Sequence, residues 1–137
     1  MDDLLRVELA DFLKLSETRI LLVGVAEELV RSVAQATQRP VRFITPQEVS
    51  PNILTTDEHP SHYEALRHRL RIPASVRLLV FKDIHLFTDR QRMVLKCILL
   101  NEPFAATSGE APDLVWGLIP EGATVGEELG FGRLIVP

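Results

Sequence analysis

Lys82 and Asp83 stand side by side directly after a stretch in which five of six residues, Val76 to Phe81, are apolar. The stretch is too short for a typical helix and rich in branched side chains. It reads as a strand buried on both faces, as in a parallel sheet. Ligands of open α/β sheets bind at the carboxyl ends of the strands, which is where these two charges fall. A carboxylate there could hold a metal or take a proton, and the Lys82 ammonium could serve as a fixed cation for a phosphate. The plainer reading, which we adopt, is a charged strand end that is solvated or internally paired.

A phosphate cradle needs a second part, G-x-x-x-x-G-K-[ST] between a strand and a helix. Its glycines let backbone N–H groups face the anion, its lysine neutralises charge and its hydroxyl holds Mg²⁺. Gly24 takes the first position after a strand-like Ile20 to Val23, but the other three positions read Leu29, Val30 and Arg31. Glu27 and Glu28 fall where the anion would sit. Two carboxylates at a helix N-terminus satisfy its dipole themselves and repel a triphosphate. Gly24 is the only glycine in the first 108 residues, so no other stretch there can form such a cradle. No cofactor is expected.

Other chemistry is weaker. His59 and His62 could join Asp57 or Glu58 around a metal, but there is no H-x-x-x-H pair and the plainer reading is unliganded loop histidines, so no metal is assigned. The nucleophile-elbow pattern G-x-S-x-G is absent. Arg67, Arg69 and Arg71, with Arg77 beyond them, form the one basic cluster, read as a solvated helix face and, second, as a partner-contact surface. The single cysteine, Cys97, excludes an internal disulfide and reads as a small buried hydrophobe.

The elements that must position these residues can be read from periodicity. Leu5, Leu9, Phe12 and Leu13 give residues 2 to 14 an amphipathic helix that packs on the domain. After the strand at 20 to 23, Ala26, Leu29, Val30, Val33 and Ala34 form a core-facing helical stripe, stopped at Gln38-Arg39-Pro40. Val41 to Ile44 is a second strand, and β-α-β without a hairpin signal implies a right-handed crossover and parallel pairing. Residues 45 to 60 form a long loop with one helical turn near Gln47-Glu48-Val49. Ser61 and Glu64 form a capping box for a helix bearing Tyr63, Leu66 and Leu70, its opposite face carrying the arginines. After the central strand, Thr88 and Gln91 form a second box for a helix whose apolar face is Met93, Val94, Cys97, Ile98 and Leu100, closed by Asn101-Glu102-Pro103. A fourth strand covers 113 to 119, a turn or short helix 125 to 129, and a fifth strand 133 to 136. The expected fold is one α/β domain, residues 1 to 137, with a doubly wound, mostly parallel five-stranded sheet flanked by helices.

Composition is that of an ordinary globular chain, with 46% hydrophobic and 25% charged residues among 137. No stretch approaches the roughly 18 apolar residues of a membrane span. The acidic Met1-Asp2-Asp3 start is unlike a secretory signal, so a cytoplasmic protein is expected. The net charge of −4 argues against a general nucleic-acid binder.

In these segments the chain resembles the AAA+ ATPases, and within them the MoxR-like branch. Arg19 to Gly24 resembles the strand entering Walker A, Arg42 to Leu54 the segment after the second strand, and Leu78 to Phe87 Walker B and its continuation. Thr88 to Pro103 resembles the following helix, and Leu114 to Pro120 falls where the sensor-1 strand belongs. The resemblance spans residues 19 to 137 and implies a P-loop-type core, with 1 to 15 as an added helix. Its departures imply loss of catalysis. Where the family has Asp-Glu, this chain has Lys82-Asp83, and no sensor-1 polar residue falls near Leu118 to Pro120. Arg133 follows a glycine rather than the aspartate that precedes an arginine finger. With the chain ending at Pro137, the lid is expected to be missing.

The resulting expectation is a non-enzymatic adaptor, scaffold or regulatory subunit. Its partner would be a protein, either an active AAA+ relative or a second copy of itself. The alternatives are a receiver-like signalling module with Asp83 as phosphoacceptor, a nucleotide-sensing switch relying on Lys82 or Arg31, and a nucleic-acid module using the arginine cluster.

Overall fold

The computed structural model describes residues 2–15, 19–50, 52–53, 57–58, 62–101, 114–123, 131 and 133–135. In chain order the regular elements are α1 (Asp2–Leu15), β1 (Arg19–Val23), α2 (Glu27–Ala36), β2 (Val41–Ile44), α3 (His62–Arg69), β3 (Leu78–Lys82), α4 (Asp89–Asn101), β4 (Leu114–Ile119) and β5 (Arg133–Ile135). Short 3₁₀ turns at Pro46–Glu48 and Ile84–Leu86 follow β2 and β3. The strands lie in the order β2-β3-β4-β1, all parallel, and the three-residue β5 pairs with the other side of β1.

Alternation along each strand separates two apolar layers. Ile20, Leu22, Phe43, Leu78, Val80, Leu114, Trp116 and Leu118 pack under α1 and α2, joined by Leu5, Leu9, Phe12 and Leu13 from α1. On the other face, Leu21, Ile44, Leu79, Phe81, Val115 and Ile119 meet α3, α4 and the two 3₁₀ turns. The faces follow from the handedness of parallel crossovers. β1 to β2 runs one way across the sheet with its helix on the first face. β2 to β3 and β3 to β4 run back with their helices on the second.

The helical stripes are as expected in α1, and in α2 from Leu29 onward. Ala26, assigned to the stripe from sequence, is instead the exposed residue that precedes α2. In α4 the buried face is Val94, Leu95, Ile98 and Leu99. Met93, expected on that face, is 67% exposed, and Cys97 is half-buried at its border rather than in the core. The apolar positions of α4 run almost continuously, so periodicity alone left the face about one residue out of phase. The helical turn expected near Gln47 begins at Pro46, where a proline sits well in a first turn. Ser61 and residues 125–129 lie outside the described residues.

Gly117 explains how the second layer closes. A Cβ there would lie 2.5 Å from Ile84 Cδ1, 2.7 Å from Phe131 Cζ and 2.9 Å from Leu21 Cδ1. The bare backbone of β4 is what lets these three side chains meet over the sheet. Gly117→Ala should therefore cost about 1–3 kcal/mol of stability, read as a lower urea midpoint with unchanged slope; an unchanged midpoint would show that the three side chains can yield.

With so little glycine available, left-handed positions fall to other residues. α2 and α3 both end in a Schellman arrangement. Arg39 N–H donates to the Ala34 carbonyl at 2.8 Å and Ile72 N–H to the Arg67 carbonyl at 2.9 Å, with Gln38 (φ 57°) and Arg71 (φ 54°) in the left-handed place between. A side chain there is unfavourable where glycine is not. Gln38→Gly and Arg71→Gly should each stabilise the protein by about 0.5–1 kcal/mol, measured by denaturant titration.

Candidate functional site

The direction of winding reverses at β1 and β4. The helix that leaves β1 lies on one face and the helix that leaves β3 on the other, so the crevice expected to take a ligand opens at the carboxyl ends of the strands around β4. β4 ties both neighbouring tips. Asp83 N–H donates to the Leu118 carbonyl at 2.8 Å and Gly24 N–H to the Ile119 carbonyl at 2.9 Å, so pairing continues one residue past each flanking strand. The tertiary fold thus brings Gly24, Lys82 and Asp83 to one edge.

Among the described residues, the groups at this edge engage one another. Only Gly24, Val25 and Ala26 connect β1 to α2, and Val25 is buried. That is too little chain to arch around a phosphate. Gly24 sits at φ 71°, and a Cβ on it would be 3.2 Å from Glu121 Cβ, because the turn after β4 closes over it. Leu29 and Val30 are core residues of α2 rather than loop residues. The Lys82 ammonium is 3.0 Å from Glu27 Oε1, both side chains being 28% exposed. Arg31 lies one helical turn on, 3.7 Å from the same carboxylate oxygen. Glu27 is thus shared by two cations at the N-terminus of α2, where its charge also complements the helix dipole.

Asp83 is half-buried and left-handed (φ 54°, ψ 40°), a conformation aspartate tolerates better than most residues. Its backbone carbonyl accepts from Leu86 N–H at 2.9 Å, starting the 3₁₀ turn. His85 in that turn has a buried Nδ1 with no hydrogen-bond partner among the described residues. His62 is half-buried and Asp57 and Glu58 are exposed, while His59 lies outside the described residues. Among the described residues, no three of His, Cys, Asp and Glu are grouped to hold a metal ion. Likewise, no described helix is long and apolar enough to cross a membrane.

The arginine cluster divides. Arg67 is turned inward: it donates to Tyr63 Oη at 3.1 Å and to the Pro73 carbonyl at 2.7 Å, and lies 5.6 Å from the Tyr63 ring centre. Arg69 and Arg71 are exposed, Arg71 beyond the last turn of α3.

Two supports of the edge were missed by pattern reading. The Thr88 capping box forms as expected, with Thr88 N–H to Gln91 Oε1 at 2.9 Å and Gln91 N–H to Thr88 Oγ1 at 3.2 Å. Gln91 also reaches across to the loop after β2, donating to the carbonyls of Pro46 at 2.7 Å and Val49 at 2.9 Å. That loop carries its own box, Thr45 with Glu48, whose carboxylate accepts from Thr45 N–H at 3.1 Å and pairs with Arg42. The T-x-x-E spacing was the available signal for it. No family model and no curated protein matches the chain.

Two outcomes follow. Burial raises the Glu48 pKa, but the hydrogen bonds from Arg42 and Thr45 together outweigh it and hold the carboxyl below its ordinary value. A depressed folded-state pKa contributes stability above the unfolded value of about 4.3 that is lost as pH falls through the folded one. Glu48→Gln should thus be less stable than the parent at pH 7 and converge with it as the pH falls through the lowered folded-state pKa, in parallel urea titrations. A double-mutant cycle on Glu27→Gln and Lys82→Met should return a coupling of about 0.5–1 kcal/mol; zero coupling would mean that Lys82 is not held by Glu27 in solution.

Proposed function

We propose that this chain is a non-catalytic interaction module: an adaptor, scaffold or regulatory subunit built on a degenerate AAA+-type core. It acts through protein–protein contacts, with an active AAA+ relative or with a second copy of itself. The observation that carries this reading is the Lys82–Glu27 ion pair, 3.0 Å long, across the gap between the tip of β3 and the start of α2. In a nucleotide-hydrolysing core that gap holds phosphate and metal. Here the strand end supplies the cation and the helix end the carboxylate, so charge is neutralised without a ligand. The doubly wound parallel sheet agrees with the resemblance, and the exposed Arg69 and Arg71 support a contact surface on α3.

A receiver-like module draws less support. Its sheet order would be 2-1-3-4-5, whereas here β4 stands between β1 and β3. A nucleotide-sensing switch would have to break the Lys82–Glu27 pair and lift the turn at Glu121 away from Gly24.

Thermal unfolding with and without millimolar Mg-ATP or Mg-ADP tests the reading. A nucleotide at about 100 times its Kd would add roughly 2.7 kcal/mol, several degrees for a domain of this size. The expected result is no shift with either nucleotide. A clear shift that disappears in Lys82→Ala would overturn the proposal in favour of a sensing switch.

A further inference from the structure

A groove of about 410 Å³ runs between the last two turns of α2 and the start of β2, lined by Arg31, Ala34, Gln35, Gln38, Arg39, Pro40 and Val41. It lies beside a strand that ends the sheet, since among the described residues β2 pairs only with β3. The further half of this strand is guarded: the Arg42 guanidinium is committed to the Phe43 carbonyl and to Glu48, a charged side chain of the kind that blunts an edge. The nearer half, at Pro40 and Val41, forms one wall of the groove; Pro40 has no N–H to donate, so this wall offers apolar side-chain surface rather than an open strand edge.

The chemistry of the lining is one-sided. Its floor is apolar and its rim is two guanidiniums and two primary amides, with no carboxylate, on a chain whose net charge is −4. Arg31 is positioned in advance. Its guanidinium lies 4.5 Å from the centre of the Phe43 ring, and its longer contact with Glu27, 3.7 Å at a side chain 57% exposed, leaves most of its donors available. Among the described residues no carboxylate pairs with Arg39. The amides of Gln35 and Gln38 can both donate and accept, as a peptide backbone requires.

From this we infer that the groove is the docking site for an extended acidic segment of a partner protein, with an apolar side chain seated on Ala34, Pro40 and Val41 and flanking carboxylates taken by Arg31 and Arg39. The segment lies across the end of α2 and the start of β2, held by its side chains rather than by strand pairing, since Pro40 has no N–H to donate. Carboxylates favour arginine for its bidentate fork, and the rim itself carries no carboxylate to repel such a segment. The inference deepens the interaction reading and rests on it.

A phage library of random twelve-residue peptides, selected on the full chain and counter-selected on Gln35→Glu/Gln38→Glu, tests it. Both substitutions are isosteric and exposed, so they change the rim charge and leave the core intact. The expected result is enrichment of sequences that carry Asp or Glu on either side of an apolar residue. A fluorescein-labelled peptide of the enriched sequence should bind roughly tenfold more weakly to Arg39→Gln and to the double glutamate variant, and unchanged to Lys96→Ala, an exposed cation on α4. Enrichment of neutral or basic sequences, none beyond the counter-selection, or equal binding of polyglutamate would each overturn the docking site. So would binding of oligo-dT that the same variants abolish, which would assign the groove to nucleic acid. Failure here, with no nucleotide-induced shift in melting, removes the groove and leaves the interaction reading standing; a nucleotide-induced shift removes that reading itself.

Discussion

Everything at the carboxyl edge of the sheet depends on β4. All six of its residues, Leu114 to Ile119, are buried, and it is hydrogen-bonded in parallel to β1 on one side and β3 on the other. A strand in that position must be apolar on both faces, because both faces lie under helices. Its last two carbonyls receive the N–H groups of Asp83 and Gly24, and buried backbone groups without such partners are costly. The two chemically suggestive tips are therefore fixed with respect to each other by a strand that carries no chemistry of its own. The missing side chain at Gly117 admits Phe131 and Ile84 over the same strand, so one element sets both the core and the edge.

That edge has the layout of a ligand site and the electrostatics of a closed one. A helix N-terminus beside a strand tip is a ready anion site, and proteins that use it keep the helix start free of negative charge. Here Glu27 occupies the start of α2 and draws both Lys82 and Arg31 toward it. A half-exposed ion pair contributes little to stability, so its consequence is occupancy: the Lys82 ammonium, which could have met a phosphate, is already held by Glu27. The turn after β4 brings Glu121 close against Gly24.

The second half of the edge is tied by polar side chains rather than by apolar packing. Gln91 caps α4 and holds the loop after β2 through two carbonyls, and Glu48 caps the turn in that loop while pairing with Arg42. Each of these side chains satisfies backbone groups that the neighbouring helix or turn leaves open. The loop is long, and these ties fix its first five residues to the sheet.

The sequence by itself determined the elements and the identity of the charges. Branched apolar runs gave the strands, the i, i+3, i+4 stripes of α1 and α2 gave their buried faces, and the Thr88–Gln91 spacing gave the start of α4. It also placed Lys82 and Asp83 at a strand end and Glu27 and Glu28 at a helix start, because these follow from local patterns of a few residues. The tertiary structure alone decided that β4 inserts between β1 and β3, and that Lys82 meets Glu27, a residue 55 positions earlier in the sequence. It also decided that Gln91 reaches Pro46 and that Arg67 turns inward. Those outcomes depend on strand order and on which helix covers which face, and no local period encodes them. The phase of α4 was misjudged for a related reason. Its apolar residues run almost unbroken, so only packing against the sheet selects Leu95 and Leu99 over Met93.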